Sequence, residues 1–144
     1  MPPRHTFTRS ERLKSRKIIK NLFAGEGKVI SAYPVRLIYK QVEQPHQTAA
    51  PIQFAVSVPA RNFPKAVHRN LLKRRIREAY RLHKHVLYNA LQQLPHTQTP
   101  TVLAIMVIYL AKEILPYQTI EPKVHQCLNQ LLKRLPELVV KQPD

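Results

Sequence analysis

The sequence predicts a single α+β domain, residues 1–144 with a core at about 8–135, whose central mixed sheet packs against helices in the order α-β-β-β-α-β-α. Three observations predict it. Segments 35–39, 52–58 and 101–109 are β-branched, aromatic or continuously apolar, as strands are. Segments 8–23, 65–93 and 119–135 space their apolar residues at helical intervals. The chain has 144 residues, 44% of them hydrophobic, which suits one modest core and not two. No repeat and no linker divides it.

Each element has its own justification. Thr8 to Phe23 reads as a helix with Ser10 as a possible cap and Leu13, Ile18, Ile19, Leu22 and Phe23 in register. Gly25 and Gly27, the only glycines, stop it. Lys28 to Ser31 is a short strand and Val35 to Tyr39 a better one. A polar loop, Gln41 to Pro51, leads to the strand Ile52–Val58, with Phe54, Val56 and Val58 on one face and Gln53, Ala55 and Ser57 on the other. One long helix is expected from about Lys65 to about Gln93, and a loop at Thr97–Pro100. The unbroken apolar run inside Thr101–Tyr109 suits a strand buried on both faces. A final helix, Thr119–Leu135, carries the stripe Val124, Cys127, Leu128, Leu131 and Leu132.

Charge is the unusual property. Lys and Arg number 24 against 8 acidic residues, a formal net of +16. Residues 1–40 carry ten basic and two acidic side chains, and residues 61–85 carry nine basic residues and only Glu78. The remainder is nearly balanced. Concentrated in two blocks, the excess reads as the footprint of a polyanion, nucleic acid before membrane. The longest apolar run, Val102–Ala111, is too short to span a bilayer, and Met1-Pro2-Pro3-Arg4-His5 leads into no apolar signal core. Neither a membrane location nor a signal peptide is expected. Cys127 is the single cysteine, which excludes an intrachain disulfide and a cysteine zinc site and suits a reduced, cytoplasmic setting.

The segment from Ala66 to Arg81 concentrates the information. At about 100° per residue, Asn70, Lys73, Arg74, Arg77, Arg81 and Lys84 share one arc of a helix. Leu72, Ile76, Ala79, His83, Val86 and Leu87 share another, which should meet the sheet. Arg69 borders the basic arc beside the first-turn amides, where phosphate binds readily. Solvated charged faces usually alternate sign; this one has only Glu78, and like charges at i, i+4 cost about 0.2–0.5 kcal/mol a pair. Arginine forks and an amide suit phosphate oxygens and 2′-hydroxyls, which fix register on a backbone without reading sequence.

This segment resembles the signature of the bacterial ribonuclease P protein component. The family pattern Ala-Val-x-Arg-Asn-Arg-x-Lys-Arg, then Arg-Glu-Ala-Phe/Tyr-Arg, is matched at Ala66, Val67, Arg69, Asn70, Lys73, Arg74, Arg77, Glu78, Ala79, Tyr80 and Arg81. Leu71 stands where the family usually has arginine, so no RNA contact is carried onto it. Pro64-Lys65 replaces the family's frequent Gly-Asn. The likeness extends to Arg12-Leu13-Lys14, to the turn at Phe23–Gly27, to Phe54–Val58, and to Leu131–Arg134.

The resemblance implies a protein subunit of an endoribonuclease whose RNA subunit is the catalyst. The implied partners are the catalytic RNA and precursor tRNA, with no further protein required, and the reaction removes the 5′ leader with magnesium held mainly by RNA. Carried over, Arg69, Asn70, Lys73, Arg74 and Arg77 contact the catalytic RNA, with His68, Lys65 and Arg81 beside them. Phe23, Ile19, Arg36 and Ile38 are candidates for the leader groove, where an aromatic ring stacks on an unpaired base. A phenylalanine ending a helix is as often core.

No protein-borne catalytic or metal site is expected. The acids are scattered, His83 reads as a core-edge residue, and His46, His96 and His125 stand alone in sequence. His68 and His85 lie beside cations, which suits phosphate. Two glycines exclude a Walker-type loop, and Cys127 reads as core. Two other classes share the charge: a ribosomal or RNA-chaperone protein, and a DNA-binding regulator. The latter lacks a dimer heptad or a preceding helix-turn-helix helix.

Overall fold

The computed structural model describes residues 7, 9–43, 51–93 and 101–140. Thr8, most of the loop expected at 41–51, the loop at 97–100, His46, His96 and residues 141–144 lie outside the described residues. A 3-10 turn, Arg9–Glu11, opens the chain. It is followed by α1 (Arg16–Phe23), β1 (Lys28–Ala32), β2 (Val35–Glu43), β3 (Ile52–Ser57), α2 (Ala66–His83), α3 (His85–Gln93), β4 (Thr101–Tyr109) and α4 (Tyr117–Val140). The α+β order stands as the sequence predicts, with the long middle helix divided in two.

The four strands form one sheet in the order β1-β2-β4-β3. β1–β2 and β2–β4 are antiparallel, whereas β3 runs parallel to β4, so the sheet is mixed. A two-residue turn, Tyr33-Pro34, joins β1 to β2, and the crossover from β3 to β4 passes through α2 and α3. β2 is longer than its apolar core suggested, because Lys40 to Glu43 pair with Ala104 to Thr101 along the whole central strand.

One sheet face carries Ile30, Leu37, Tyr39, Phe54, Ile105, Val107 and Tyr109 against Leu72, Ile76, Ala79 and Tyr80 of α2 and Val124, Cys127, Leu128 and Leu131 of α4. The opposite face carries Ile38, Ala104 and Met106 beneath Leu22 of α1, with Leu13 closing the group. β4 is therefore buried on both faces, as its composition requires. The predicted α4 stripe is all in the core, Leu132 only partly buried. α4 also runs past Pro122 and Pro136, beyond the expected stop at Leu135.

The first helix is shorter than expected. Arg12 bridges Phe54 in parallel fashion, and Leu13 N–H donates to the Phe54 carbonyl at 3.0 Å. Residues 12–13 thus cover the outer edge of β3, whose backbone groups would otherwise lie open. Extended backbone there moves the cap from Ser10 to Ser15, whose Oγ accepts from Ile18 N–H at 3.3 Å. The end of α1 is as the glycines predict. Gly25 has φ +92°, and the bonds Gly25 N–H to Leu22 O and Glu26 N–H to Asn21 O close a Schellman motif. At Gly27 a Cβ would lie 2.6 Å from Ile38 Cγ2 and 2.9 Å from Leu22 Cδ2, so only glycine lets the turn pass between α1 and β2.

Two outcomes follow from this packing. Ile76→Ala, at a fully buried position between helix and sheet, should lower urea-unfolding stability by about 2–5 kcal/mol. Burial also pushes the Cys127 thiol up to about 11 from its ordinary 9.0 and lifts the Tyr80 and Tyr88 phenols above 10.0. The native state keeps these protons after the unfolded chain has begun to release them. Stability is therefore complete below about pH 9 and falls as pH rises above it, so the urea midpoint at about pH 10.5 should be lower than at about pH 7.5.

Candidate nucleic-acid interface

α2 positions the candidate residues because its inner arc is fully committed. Leu72, Ile76, Ala79 and Tyr80 are at 0% exposure, which fixes the rotation of the helix and turns Asn70, Arg74 and Arg77 outward to solvent. Lys73 is half-buried at the edge of the same face. Among the described residues, none of Lys65, Lys73, Arg74 and Arg77 forms an ion pair. Arg77 is held below the usual arginine value first by partial burial and then by the charge of Arg12. Two guanidiniums thus share one neighbourhood, which favours an anionic ligand. Arg12 is not among the residues expected from sequence to join this cationic neighbourhood; the pairing of residues 12–13 with β3 brings it there.

Other expected contacts have partners of their own. Arg69 Nη1 donates to the carbonyls of Phe63 at 2.8 Å and Pro64 at 2.7 Å. α2 has no side-chain cap at Lys65, and Arg69 instead holds the preceding loop against the first turn. Half-buried, it positions that loop as well as bordering the face. Arg81 binds Glu78 through Nη2 at 2.5 Å and Nε at 3.1 Å, which lowers the Glu78 carboxyl below its ordinary range. Its charge is answered within the helix. His68 is half-buried and Lys65 exposed at the start of α2. Arg75, the third cation of the Lys73-Arg74-Arg75 run, points elsewhere and donates to the Leu115 carbonyl ahead of α4.

Lys84 corrects the expected basic face. It is only 3% exposed, lies between α2 and α3, and binds Glu11. Tyr88 Oη donates to the same carboxylate at 3.0 Å. The reason lies in Phe7 and residues 9–13, which lie on this side of α2: Phe7 meets Phe54 and Tyr80 edge-on, and the Phe54 and Tyr80 rings stack at 3.9 Å. The helical wheel cannot see that a strand-edge segment covers one margin of the arc. Val86, expected toward the sheet, is 36% exposed because the break at Lys84 re-aims α3.

The leader-groove candidates divide as well. Phe23, at the end of α1, is 54% exposed. Arg36 is exposed on the sheet face shared with Ile38, in a cross-strand row with Ser31 and Ile108. Ile19 is half-buried and Ile38 buried, both in the cluster between α1 and the sheet. Ile38 is thus floor beneath α1, and Val29, its exposed cross-strand neighbour, replaces it at the surface. α1 and α2 lie on opposite faces of the sheet, and residues 9–13 run along the β3 edge between them.

Fold and surface together define a small basic α+β protein whose outer helix presents clustered cations. The family model for ribonuclease P matches residues 7–135. The chain is 36% identical over 140 residues to the ribonuclease P protein component of Porphyromonas gingivalis strain W83, covering 97% of this chain and 96% of the relative. The ribonuclease P protein from Thermotoga maritima aligns with a TM-score of 0.57 at 26% identity, over 87% of this chain and 97% of that one. The Staphylococcus aureus ribonuclease P protein shares the fold at 18% identity, with a TM-score of 0.58 over 84% and 94% of the two chains. This protein belongs to the ribonuclease P protein family. No helix among its described residues is long and apolar enough to cross a membrane.

Because Lys84 is buried with Glu11, Lys84→Ala leaves a carboxylate without its cation. It should cost about 3–5 kcal/mol in urea unfolding, a loss that substitution of exposed Arg74 should not produce.

Proposed function

We propose that this chain serves as the protein subunit of a ribonuclease P, binding the catalytic RNA through the outer face of α2 and the 5′ leader of precursor tRNA in the groove between α1 and the sheet. The observation that carries this reading is the row Asn70, Lys73, Arg74 and Arg77, whose cations form no ion pair among the described residues, in a chain of this family. Each cation that neutralises a phosphate releases condensed counterions, so binding is driven largely by entropy and weakens with salt. Asn70 adds a donor and an acceptor for a phosphate or 2′-hydroxyl. Arg12, in the neighbourhood of Arg77, and Arg36, exposed on the sheet face shared with Ile38, add positive charge beyond α2, and the exposed ring of Phe23 offers a surface on which an unpaired leader base can stack.

The α2 face offers cations and one amide but no carboxylate cluster. Magnesium, a hard ion that requires oxygen ligands, does not fit these side chains and belongs with RNA phosphates. The protein's part is to bind, to orient and to lower phosphate repulsion between the two RNAs; it contributes no catalytic side chain.

The test is cleavage of precursor tRNA by the cognate ribonuclease P RNA at low magnesium, with and without this protein. Stimulation, with no cleavage by the protein alone, is expected; tight RNA binding without stimulation would transfer the chain to a ribosomal or chaperone role. Lys73→Ala and Arg74→Ala should each weaken RNA binding and reduce the magnitude of the log K against log salt slope by about one. Unchanged slopes in both variants would remove α2 as the RNA-binding face.

A further inference from the structure

His83, Glu121 and His125 are far apart in sequence reasoning, yet the packing of α2 on α4 brings them together. His83 is the last residue of α2, on the inward arc opposite Arg74. Glu121 and His125 stand at i and i+4 on α4, on one face of that helix. His83 Nε2 lies 2.6 Å from Glu121 Oε1, and the His83 and His125 rings stack at 3.8 Å with 7° between their planes. One ligand atom from each residue falls within 4.8 Å of the other two. His125 is thus not the isolated histidine it is in sequence.

We propose that His83, Glu121 and His125 form a binding site for a divalent transition-metal ion of the zinc type, pinning the end of α2 to α4. The chemistry selects that class: two imidazoles and one carboxylate make a borderline set that suits zinc and its neighbours, whereas magnesium and calcium prefer oxygen alone. The spacing agrees. Ligands about 2.0–2.2 Å from a tetrahedral ion stand roughly 3.3 Å from each other. The separations here, from 2.6 Å to the 4.8 Å limit, bracket that value; because an imidazole lone pair lies in its ring plane, the two parallel rings must also turn out of their stack to aim at one ion. Entry is open. The side chains of His83 and Glu121 are 20% and 27% exposed, leaving a fourth position for water. On binding, the ion replaces the hydrogen bond between Nε2 and Oε1: the Nε2 proton is displaced to solvent or moves to Nδ1, and the ligating imidazole is neutral with its one proton on Nδ1. The site lies on the side of α2 away from Asn70, Arg74 and Arg77, so it does not depend on that face binding RNA.

The experiment uses the full chain, without a histidine tag and stripped of metal by chelation, titrated with zinc by calorimetry and followed by thermal unfolding. One zinc per chain should bind, raising Tm by roughly 5–10 °C at 100-fold excess over Kd. Magnesium at the same concentration should not. Cobalt(II) should give the visible absorption of a tetrahedral site. Glu121→Gln keeps a hydrogen-bonding partner for His83 and therefore the apo fold, yet should abolish the cobalt spectrum and the Tm rise, as should His125→Ala. Cys127→Ser, buried nearby, should retain both. Absence of stoichiometric binding to the wild-type chain, or binding that survives both Glu121→Gln and His125→Ala, would overturn the proposal.

Discussion

The surfaces of this protein are placed by one strand. From Val102 to Ile108, β4 carries no polar side chain, and both of its faces must leave water. One is covered by α2 and α4, the other by α1, with β2 and β3 hydrogen-bonded at its sides. That double coverage puts the signature helix and α1 on opposite faces of the sheet. It also fixes the rotation of α2: four residues at zero exposure on the inner arc leave only one orientation for the cations. Among the described residues every lysine and arginine except Lys84 stays outside the buried core, which is almost wholly apolar.

Among the described residues, one charge pair enters the interior, and it has an architectural part. Glu11 and Lys84 are both buried, and Tyr88 completes the carboxylate's hydrogen bonds. Such a pair adds little net stability over an apolar replacement, but it is specific: a misplaced N-terminal segment would strand two charges out of water. With the stacked Phe54–Tyr80 pair and the edge-on ring of Phe7, it fixes residues 9–13 along the β3 edge. Arg12 arrives beside Arg77 as a consequence. Closure of a strand edge and extension of the cationic surface are therefore the same event.

The cations of α2 divide by what their neighbours supply. Arg69 meets backbone carbonyls, Arg75 a carbonyl ahead of α4, Arg81 a carboxylate in its own helix, and Lys84 a buried carboxylate. Arg74, Arg77 and Lys73 remain directed to the outside without an ion-pair partner among the described residues. A family signature written as one block of charge thus contains two kinds of residue, those that hold the helix in place and those left facing outward. The same packing of α2 on α4 that engages Arg75 also assembles His83, Glu121 and His125, so both ends of that interface carry polar chemistry.

Much of this was legible in the sequence. Composition and periodicity located the four strands and, with α2 and α3 merged into one, the α-helices; Gly25 marked the end of α1, and Ala66–Arg81 identified the family, because each signal is local and lies within one element. Element boundaries at Ser15 and Lys84 were not legible, since both are set by a segment distant in sequence that pairs with β3 and crosses α2. Nor were Arg12 as a neighbour of Arg77, Ile38 as floor beneath α1, or His125 against His83. A sequence determines which face of an element is apolar and which is charged; which charged side chain stays in water is decided by what other element comes to lie over it, and that depends on contacts no local pattern encodes.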